Sequence, residues 1–272
     1  MQAKKSFGQH FLNRPEIAEE IAHSITLINH TPRVLEIGPG QGMLTQLLLE
    51  RQKTEPFEFV AVEADKDMVA ILNKTYPTTP LSINDKNKGV KVIFEDFMKT
   101  DVHKVFDGQE FCLIGNFPYN ISSQILIKMI ENRELIPEMV GMFQKEVADR
   151  VVSKPGGKEF GIISLLVQAF YEGKVIINVD KSCFTPPPKV QSAVIRLVRK
   201  DNQDLGCDEK LFKRVVKQAF SQRRKMLRNT LKPFFEKDPS VLNDVFYTKR
   251  PETLGLADFV KLTQLVKKMS DE

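Results

Sequence analysis

Short apolar runs rich in β-branched residues alternate along most of the chain with segments in which apolar residues recur at helical spacing. The runs have the length of buried strands, and such alternation is typical of a parallel sheet with helices on both faces. The strand-like runs are RVLEIG, FEFVAVEA, VKVIFED, EFCLIGN and EMVGMFQ. The pattern therefore predicts an α/β fold.

A helix is predicted ahead of the first strand. The segment PEIAEEIAHSITLI, residues 15–28, has Pro15 at a first helical position and isoleucines at helical intervals. We expect an amphipathic helix that packs on the sheet.

The strand pattern ends near residue 202. Two further predicted strands, KVIINVD and SAVIRLVRK, flank a loop with three consecutive prolines, and after them we predict only helical segments. The polar stretch 77–89 is predicted to be a surface excursion. The chain is thus expected to comprise a domain built on the predicted sheet, 1–202, and a small all-helical domain, 203–272.

Composition narrows the class of protein. The apolar fraction of 42% and charged fraction of 28% are ordinary for a globular protein, and no run approaches the ~18 apolar residues of a membrane span. The start of the chain lacks the features of a signal peptide, so we expect a cytoplasmic protein. Three scattered cysteines and four histidines show no metal-ligand spacing, so we predict no metal site.

A glycine-rich turn follows the first predicted strand, in EIGPGQG. Gly38, Gly40 and Gly42 would let the backbone approach a ligand and leave helix N-terminal amides facing it. The spacing is GxGxG with Glu36 two residues ahead, unlike the GxGxxG of dinucleotide-binding proteins and similar to the first motif of S-adenosylmethionine-dependent methyltransferases.

Carboxylates end the next two predicted strands. Glu63 can accept hydrogen bonds from both hydroxyls of a ribose, and Asp96 can accept one from an adenine amino group. Each acid alone is as well explained as a solvated loop residue, but together with the glycine turn they indicate a site for an adenosine-containing cofactor.

The stretch NFPY, residues 116–119, follows the fourth strand at the same edge of the sheet. The side-chain oxygen of Asn116 and a nearby backbone carbonyl can accept the two N–H bonds of an exocyclic adenine amine, which directs the nitrogen lone pair toward a methyl donor. Pro118 stiffens the turn that presents the carbonyl of Phe117. Tyr119 offers a face for purine stacking, and Phe117 is a second candidate.

Eight segments together resemble the ribosomal RNA adenine N6,N6-dimethyltransferase family, in order and across nearly the whole chain. They are KKSFGQHFLN, LEIGPGQGMLT, VAVEAD, EDFM, IGNFPYNISSQIL, FQKEVADRVV, CFTPPPKVQSAVIRL and QAFSQRRKMLRNTL. The resemblance implies a Rossmann-like methyltransferase sheet and transfer of methyl groups from S-adenosylmethionine to N6 of two adjacent adenosines. These would lie in a hairpin loop near the 3′ end of 16S small-subunit rRNA, within the 30S subunit or its precursor. By motif match, the residues that meet the cofactor would be His10, Leu12, Gly38, Glu63, Asp96 and Asn116.

One motif departs from the family pattern. The amino-terminal motif commonly reads GQNFL, and here His10 replaces the usual Asn. Histidine can still donate a hydrogen bond, so we expect cofactor binding to persist while the contact at this position changes.

Basic residues are concentrated near the start of the predicted helical domain. Residues 210–235 contain nine Lys and Arg and no acid. In the predicted amphipathic helix of KRVVKQAFSQRRKMLRNTL, residues 213–231, Arg223, Arg224, Lys225 and Arg228 would contact RNA phosphates, while Met226 would belong to an apolar stripe. A solvated helix face is the ordinary alternative.

Two other functions remain open at this point. The chain could act mainly as an RNA-binding ribosome-assembly factor with dispensable methylation, or it could dimethylate adenine in large-subunit rRNA, as the related macrolide-resistance methylases do. We expect a monomer without membrane association.

Overall fold

The computed structural model describes residues 9–76 and 89–271, so the predicted excursion lies outside the described residues apart from Gly89. A seven-stranded sheet forms the centre of the fold. In chain order its strands are β2 (Arg33–Ile37), β3 (Glu58–Glu63), β4 (Lys91–Phe94), β5 (Cys112–Asn116), β6 (Glu138–Gln144), β7 (Tyr171–Val179) and β9 (Ser192–Arg199). Two short strands, β1 (Phe11–Leu12) and β8 (Phe184–Thr185), pair antiparallel in a separate sheet.

The strand order is β4-β3-β2-β5-β6-β9-β7. The first five strands pair in parallel, as the sequence predicted, and β9 is antiparallel to β6. The strand order reverses between β2 and β5, which makes this pair the topological switch point where open α/β sheets bind ligands. The glycine-rich turn follows β2 and Asn116 ends β5, so both lie at that point.

The helices are α1 (Pro15–His23), α2 (Met43–Gln52), α3 (Lys66–Thr75), α4 (Val102–Val105), α5 (Ser122–Glu131), α6 (Lys145–Val152), α7 (Ile162–Phe170), α8 (Glu209–Ala219), α9 (Leu227–Thr230) and α10 (Leu256–Asp271). Helices α1 to α7 lie between strands in the chain, and α8 to α10 follow the last strand. Strands β2, β3, β5 and β6 are buried at nearly every position, so both faces of the sheet are covered. Within the described part of the chain, no helix is both long and apolar enough to cross a membrane.

The chain divides into two compact units. The first comprises the described residues up to Ala148 together with Gly173–Arg199, and the second comprises Asp149–Glu172 and the described residues from Lys200 onward. The second unit therefore includes 149–172, with helix α7, in addition to the carboxyl-terminal helices. The predicted boundary near 202 leaves 149–172 in the first domain, and the sequence does not predict helix α7, because the apolar run IISLLVQAF leads without a turn signal into β7.

The first helix is shorter than predicted. Helix α1 ends at His23 rather than continuing to residue 28. The guanidinium of Arg51 donates hydrogen bonds to the carbonyls of Ala22 and Ile25, at 2.6 and 3.1 Å, and the buried carboxylate of Glu138 accepts from the backbone N–H of Thr26 and Leu27. These distant side chains satisfy backbone groups that a longer helix would have paired.

The prediction of one long basic helix in the carboxyl-terminal region is also wrong. Helix α8 ends at Ala219, a 3-10 turn follows, and the backbone is extended at Met226 before α9 begins. The N–H of Leu227 donates to the carbonyl of Lys249, a bond to a distant segment that replaces the helical pairing. The Met226 side chain is 37% exposed, so it does not belong to the predicted apolar stripe.

Two glycines make room for the side chain of Phe117 at the switch point. The ring is 1% exposed and packs edge-on against Phe143, with 5.1 Å between centroids. A Cβ atom at Gly115 would lie 2.8 Å from the Phe117 ring, and one at Gly141 would overlap the same ring and come within 2.8 Å of Phe143. Strands β5 and β6 therefore need glycine here for the turn after β5 to be anchored.

We predict that Gly141→Ala destabilises the protein by about 1–3 kcal/mol, because the added methyl group overpacks the space that the Phe117 ring fills. Urea unfolding of both proteins measures this change. Gly255→Ala is the matched control, since a Cβ there meets its nearest neighbour at 3.6 Å, an ordinary contact. Equal losses in the two variants would contradict the role assigned to the glycine.

Candidate active site

A cavity of about 900 Å³ lies at the carboxyl ends of the parallel strands. Its lining residues come from the turn after β2, the end of β3, the loop after β4 and the turn after β5. All of the predicted cofactor residues line it, namely His10, Leu12, Gly38, Gly40, Glu63, Asp96 and Asn116, as do Phe117, Pro118 and Tyr119. The fold thus brings together residues spread over more than one hundred positions of sequence.

The glycine-rich turn has the conformation that requires glycine. Gly42 has φ +86° at the N-cap of α2, and a Cβ there would lie 2.5 Å from the ring of Tyr76. The hydroxyl of Tyr76 donates to the carbonyl of Gly42 at 2.8 Å. Gly40 lies so close to the Phe11 ring that a Cβ would meet it at 3.0 Å. Two aromatic side chains therefore confine the turn.

Glu63 connects this turn to the end of β3. Its carboxylate accepts hydrogen bonds from the backbone N–H of Gly40 and of Asp65, both at 2.9 Å. Burial raises the pKa of Glu63, an effect that these backbone bonds oppose. Each carboxylate oxygen retains a second lone pair, so Glu63 can still accept from a ligand hydroxyl.

Glu36 is a second buried carboxyl group beneath the turn. It accepts a hydrogen bond of 2.7 Å from the hydroxyl of Thr45. Complete burial raises the pKa of Glu36 to about 8, and the nearby negative charge of Glu63 adds to the effect. Glu36 is therefore largely protonated at neutral pH, which spares the site two adjacent buried charges.

Asp96 lies two residues beyond the end of β4 and is exposed. Its Oδ1 accepts from the N–H of Met98 at 2.9 Å, while Oδ2 accepts no hydrogen bond from residues 9–76 and 89–271. Lys128 holds this loop through bonds of 2.6 Å to the carbonyls of Phe97 and Thr100. Asp96 thus presents a free acceptor at the rim of the cavity.

Asn116 is oriented by the amino-terminal segment. Its Nδ2 donates to the backbone carbonyl of His10 at 3.0 Å, and no other described residue bonds to its side chain. The side-chain oxygen of Asn116 is consequently directed away from His10 with its lone pairs unused. A buried or half-buried acceptor without a protein partner is suited to a ligand N–H.

The His10 ring does not direct its donor into the cavity. Its Nδ1 lies 2.8 Å from the carbonyl of Pro186, so this nitrogen carries the proton. The ring stacks on Tyr119, with centroids 5.5 Å apart and an interplanar angle of 27°. The sequence predicts a cofactor contact at His10, and this residue lines the cavity while its ring contacts the aromatic residue of the NFPY stretch.

The prediction that the Phe117 ring could stack on a base is wrong. Because the Phe117 ring is buried against Phe143, it offers no face to a ligand, although the residue belongs to the wall of the cavity. Pro118 is half-buried and begins the 3-10 turn Tyr119–Ile121. Tyr119 is half-buried and keeps its expected position at the cavity.

Sequence reasoning missed the pairing that closes the amino-terminal segment over the cavity. Phe11 pairs with Thr185 and Leu12 with Phe184, and the side chain of Gln9 donates to Asp65 at 2.9 Å. A strand of two residues has no periodicity to detect. The short apolar pair in GQHFL was the sole local signal.

The predicted RNA-contacting residues lie in the second unit. Arg223, Arg224 and Lys225 are exposed between α8 and α9, and Arg228 is exposed on α9. Arg223 donates one hydrogen bond to the carbonyl of Lys158. Three of these side chains thus lie in the segment between α8 and α9 and the fourth on α9, and together we call them the basic surface; none lies on the predicted long helix.

The donor and acceptor set of the cavity fits S-adenosylmethionine. Glu63 and Asp96 supply acceptors for a ribose and an adenine amine, and the glycine turn supplies a backbone surface that side chains would fill. Within residues 9–76 and 89–271, no group of His, Cys, Asp and Glu side chains is arranged to hold a metal ion.

A parallel sheet with its switch point at a GxGxG turn, followed by acids at the next two strand ends, defines the class of Rossmann-like S-adenosylmethionine-dependent methyltransferases. Within that class, the model of the family described as Ribosomal RNA adenine dimethylase matches residues 1–251. The chain belongs to this family, which confirms the resemblance seen in its motifs.

Individual relatives agree with the family match. Ribosomal RNA small subunit methyltransferase A of Bacteroides thetaiotaomicron is 47% identical, over 98% of this chain and 94% of its own length. The protein of the same name from Flavobacterium johnsoniae is 45% identical, over 98% and 96%.

Solved structures share the fold. A dimethyladenosine transferase from Plasmodium falciparum superposes with a TM-score of 0.76 at 26% identity, covering 96% of this chain and 98% of that one. The 23S rRNA methyltransferase ErmE has a TM-score of 0.63 at 21% identity, with coverage of 94% and 99%, a likeness of fold alone.

We predict that Glu36 makes stability depend on pH. Between about pH 4.5 and 8 the carboxyl group of Glu36 is protonated in the folded state and ionised in the unfolded state. The free energy of unfolding therefore decreases as pH rises through that range. The free energy of unfolding, measured by urea denaturation at several pH values, should therefore fall less steeply in Glu36→Gln than in the wild type. The exposed Glu50→Gln is the control, and parallel pH dependence of Glu36→Gln and wild type would contradict the assignment.

Proposed function

We propose that this protein transfers methyl groups from S-adenosylmethionine to N6 of two adjacent adenosines in a 3′-terminal hairpin loop of 16S rRNA. The products are N6,N6-dimethyladenosine in the small subunit or its precursor and S-adenosylhomocysteine, and after each transfer the methylated nitrogen loses a proton to water. Two things support the small subunit as substrate: the names of the relatives at 45–47% identity, and their coverage of nearly the whole chain. The observation that carries the chemistry is the orientation of Asn116 by the carbonyl of His10.

The Asn116 oxygen, at the edge of the cavity, accepts one N–H of the adenine amine, and the backbone carbonyl of Phe117 or Pro118 accepts the other. These bonds favour a pyramidal nitrogen whose lone pair is directed away from the acceptors, and they stabilise the positive charge that grows on the nitrogen in the transition state. Pro118 limits the backbone freedom of the turn, and Tyr119 supplies a stacking surface.

The cofactor is held by the same cavity. Glu63 would accept from ribose hydroxyls, Asp96 from the adenine amine, and Gly38 and Gly40 would pack against the ligand through their backbones. Bound there, S-adenosylmethionine supplies an electrophilic methyl group on a sulfonium. His10 and Leu12 would contribute through the backbone of the segment that pairs with β8.

The basic surface of Arg223, Arg224, Lys225 and Arg228 would bind rRNA phosphates, which positions the substrate without selecting its sequence. The region from Lys200 onward would then serve as an RNA-binding domain in addition to the catalytic one. We place the reaction in the cytoplasm, where ribosomal subunits assemble, and we propose that the enzyme acts as a monomer.

Incubation with radiolabelled S-adenosylmethionine and unmethylated 30S particles, followed by nucleoside analysis, tests the reaction. Label in N6,N6-dimethyladenosine of 16S rRNA is the expected result. Label in another nucleoside, in protein or in 23S rRNA from 50S particles would overturn the proposal.

Asn116→Ala is predicted to lower the methylation rate by about 100-fold or more, because it removes an acceptor that acts on developing charge. Binding of 30S particles, measured by co-sedimentation, should persist in this variant. If subunit maturation in cells is also unchanged, the assembly-factor function operates separately from methylation. Asn132→Ala, at the end of α5, is a control outside the cavity.

Removing Arg223, Arg224 and Lys225 together by alanine substitution is predicted to weaken 30S binding. The slope of log affinity against log salt should also fall, by roughly one unit for each phosphate that the variant no longer neutralises. Filter binding at several salt concentrations measures both quantities. Alanine at the exposed lysines 53, 91 and 104 removes the same charge from the first unit. An equal slope change in that control would show that net charge alone is responsible.

A further inference from the structure

The hydroxyl of Tyr119 meets a side chain outside the predicted site. Its oxygen lies 2.5 Å from Oγ of Ser192, the first residue of β9. Ser192 is fully buried and does not line the cavity. In the described part of the chain, Tyr119 is the sole hydrogen-bond partner of this serine hydroxyl.

Tyr119 is thereby held at two places. Ser192 fixes the hydroxyl end of the ring, and the His10 ring covers part of one face. Burial raises the pKa of Tyr119, so the phenol remains protonated and the bond to Ser192 joins two neutral groups. Without it, a half-buried Tyr at the start of a 3-10 turn could rotate about its χ1 and χ2 torsions.

The turn after β5 is anchored at both of its ends. At one end the Phe117 ring occupies the space left by Gly115 and Gly141. At the other end the bond to Ser192 connects the turn to β9. Strand β9 pairs with β6 on the edge of β6 that faces away from β5. Asn116 and Pro118 lie in the stretch whose aromatic residues make these two attachments.

We propose that Ser192 is a positioning residue for methyl transfer, which acts through Tyr119 by holding its ring where the target adenine stacks. This inference rests on the proposed function and adds a residue that the NFPY motif does not contain. It differs from a plain packing role, in which Ser192 would satisfy a buried phenol and the ring orientation would not affect the reaction.

A double-mutant cycle with Ser192→Ala, Tyr119→Phe and the double variant tests the inference. A neutral hydrogen bond contributes about 1 kcal/mol, so each single substitution should lower kcat at saturating 30S by about five- to tenfold. The double variant should be no slower than either single one, because both substitutions remove the same bond.

The dissociation constant for S-adenosylmethionine, measured by calorimetry, should remain within about twofold of wild type, since Ser192 does not line the cavity. The binding stoichiometry gives the active fraction and so separates a loss of rate from a loss of folded protein. Ser270→Ala removes a serine hydroxyl that bonds to the carbonyl of Val266 on α10, and it should leave kcat unchanged.

Several outcomes would overturn the inference while leaving the function intact. These are an unchanged kcat in Ser192→Ala, additive losses in the double variant, or a loss of cofactor affinity equal to the loss of kcat. A wild-type protein that fails to methylate 30S particles would instead refute the proposed function.

Discussion

The site depends on a steric constraint at the switch point of the sheet. The Phe117 ring is buried between β5 and β6, and only glycine at 115 and 141 leaves it room. This aromatic anchor fixes the start of the turn. Asn116 and Pro118 therefore line the cavity while the ring of Phe117, between them in the sequence, is buried in the core. A residue that looked like a ligand contact therefore provides the rigidity on which the ligand contacts rely.

Electrostatics shape the cofactor side of the cavity in a comparable way. Two carboxyl groups lie beneath one glycine turn, and burial would make a pair of negative charges there unfavourable. The protein keeps Glu36 protonated against Thr45 and leaves Glu63 to accept from backbone amides. Tyr76 and Phe11 confine the turn sterically, which restricts the conformations that it can adopt.

The sequence predicted the parallel strands because strands buried on both faces are continuous apolar runs. It also predicted the residues that line the cavity, because the carboxyl ends of parallel strands meet at the edge of the sheet where ligands bind. The ends of helices were less predictable. Helix α1 ends where Arg51 and Glu138 form hydrogen bonds with the backbone of the residues that follow. The predicted continuation of α8 beyond Ala219 is absent, and the N–H of Leu227 instead donates to the carbonyl of Lys249. Such partners are distant in sequence, and no local pattern reveals them. The burial of Phe117 and the contact between Ser192 and Tyr119 were hidden for the same reason.

The pairing of β1 with β8 has a consequence for biosynthesis. Phe11 emerges from the ribosome early, yet its partner Thr185 is translated more than 170 residues later. Until then the segment that carries the His10 carbonyl, which accepts a hydrogen bond from the Asn116 amide, lacks its pairing with β8. A nascent chain can thus form the first parallel strands co-translationally, but it gains a complete active site only after most of its length has been synthesised.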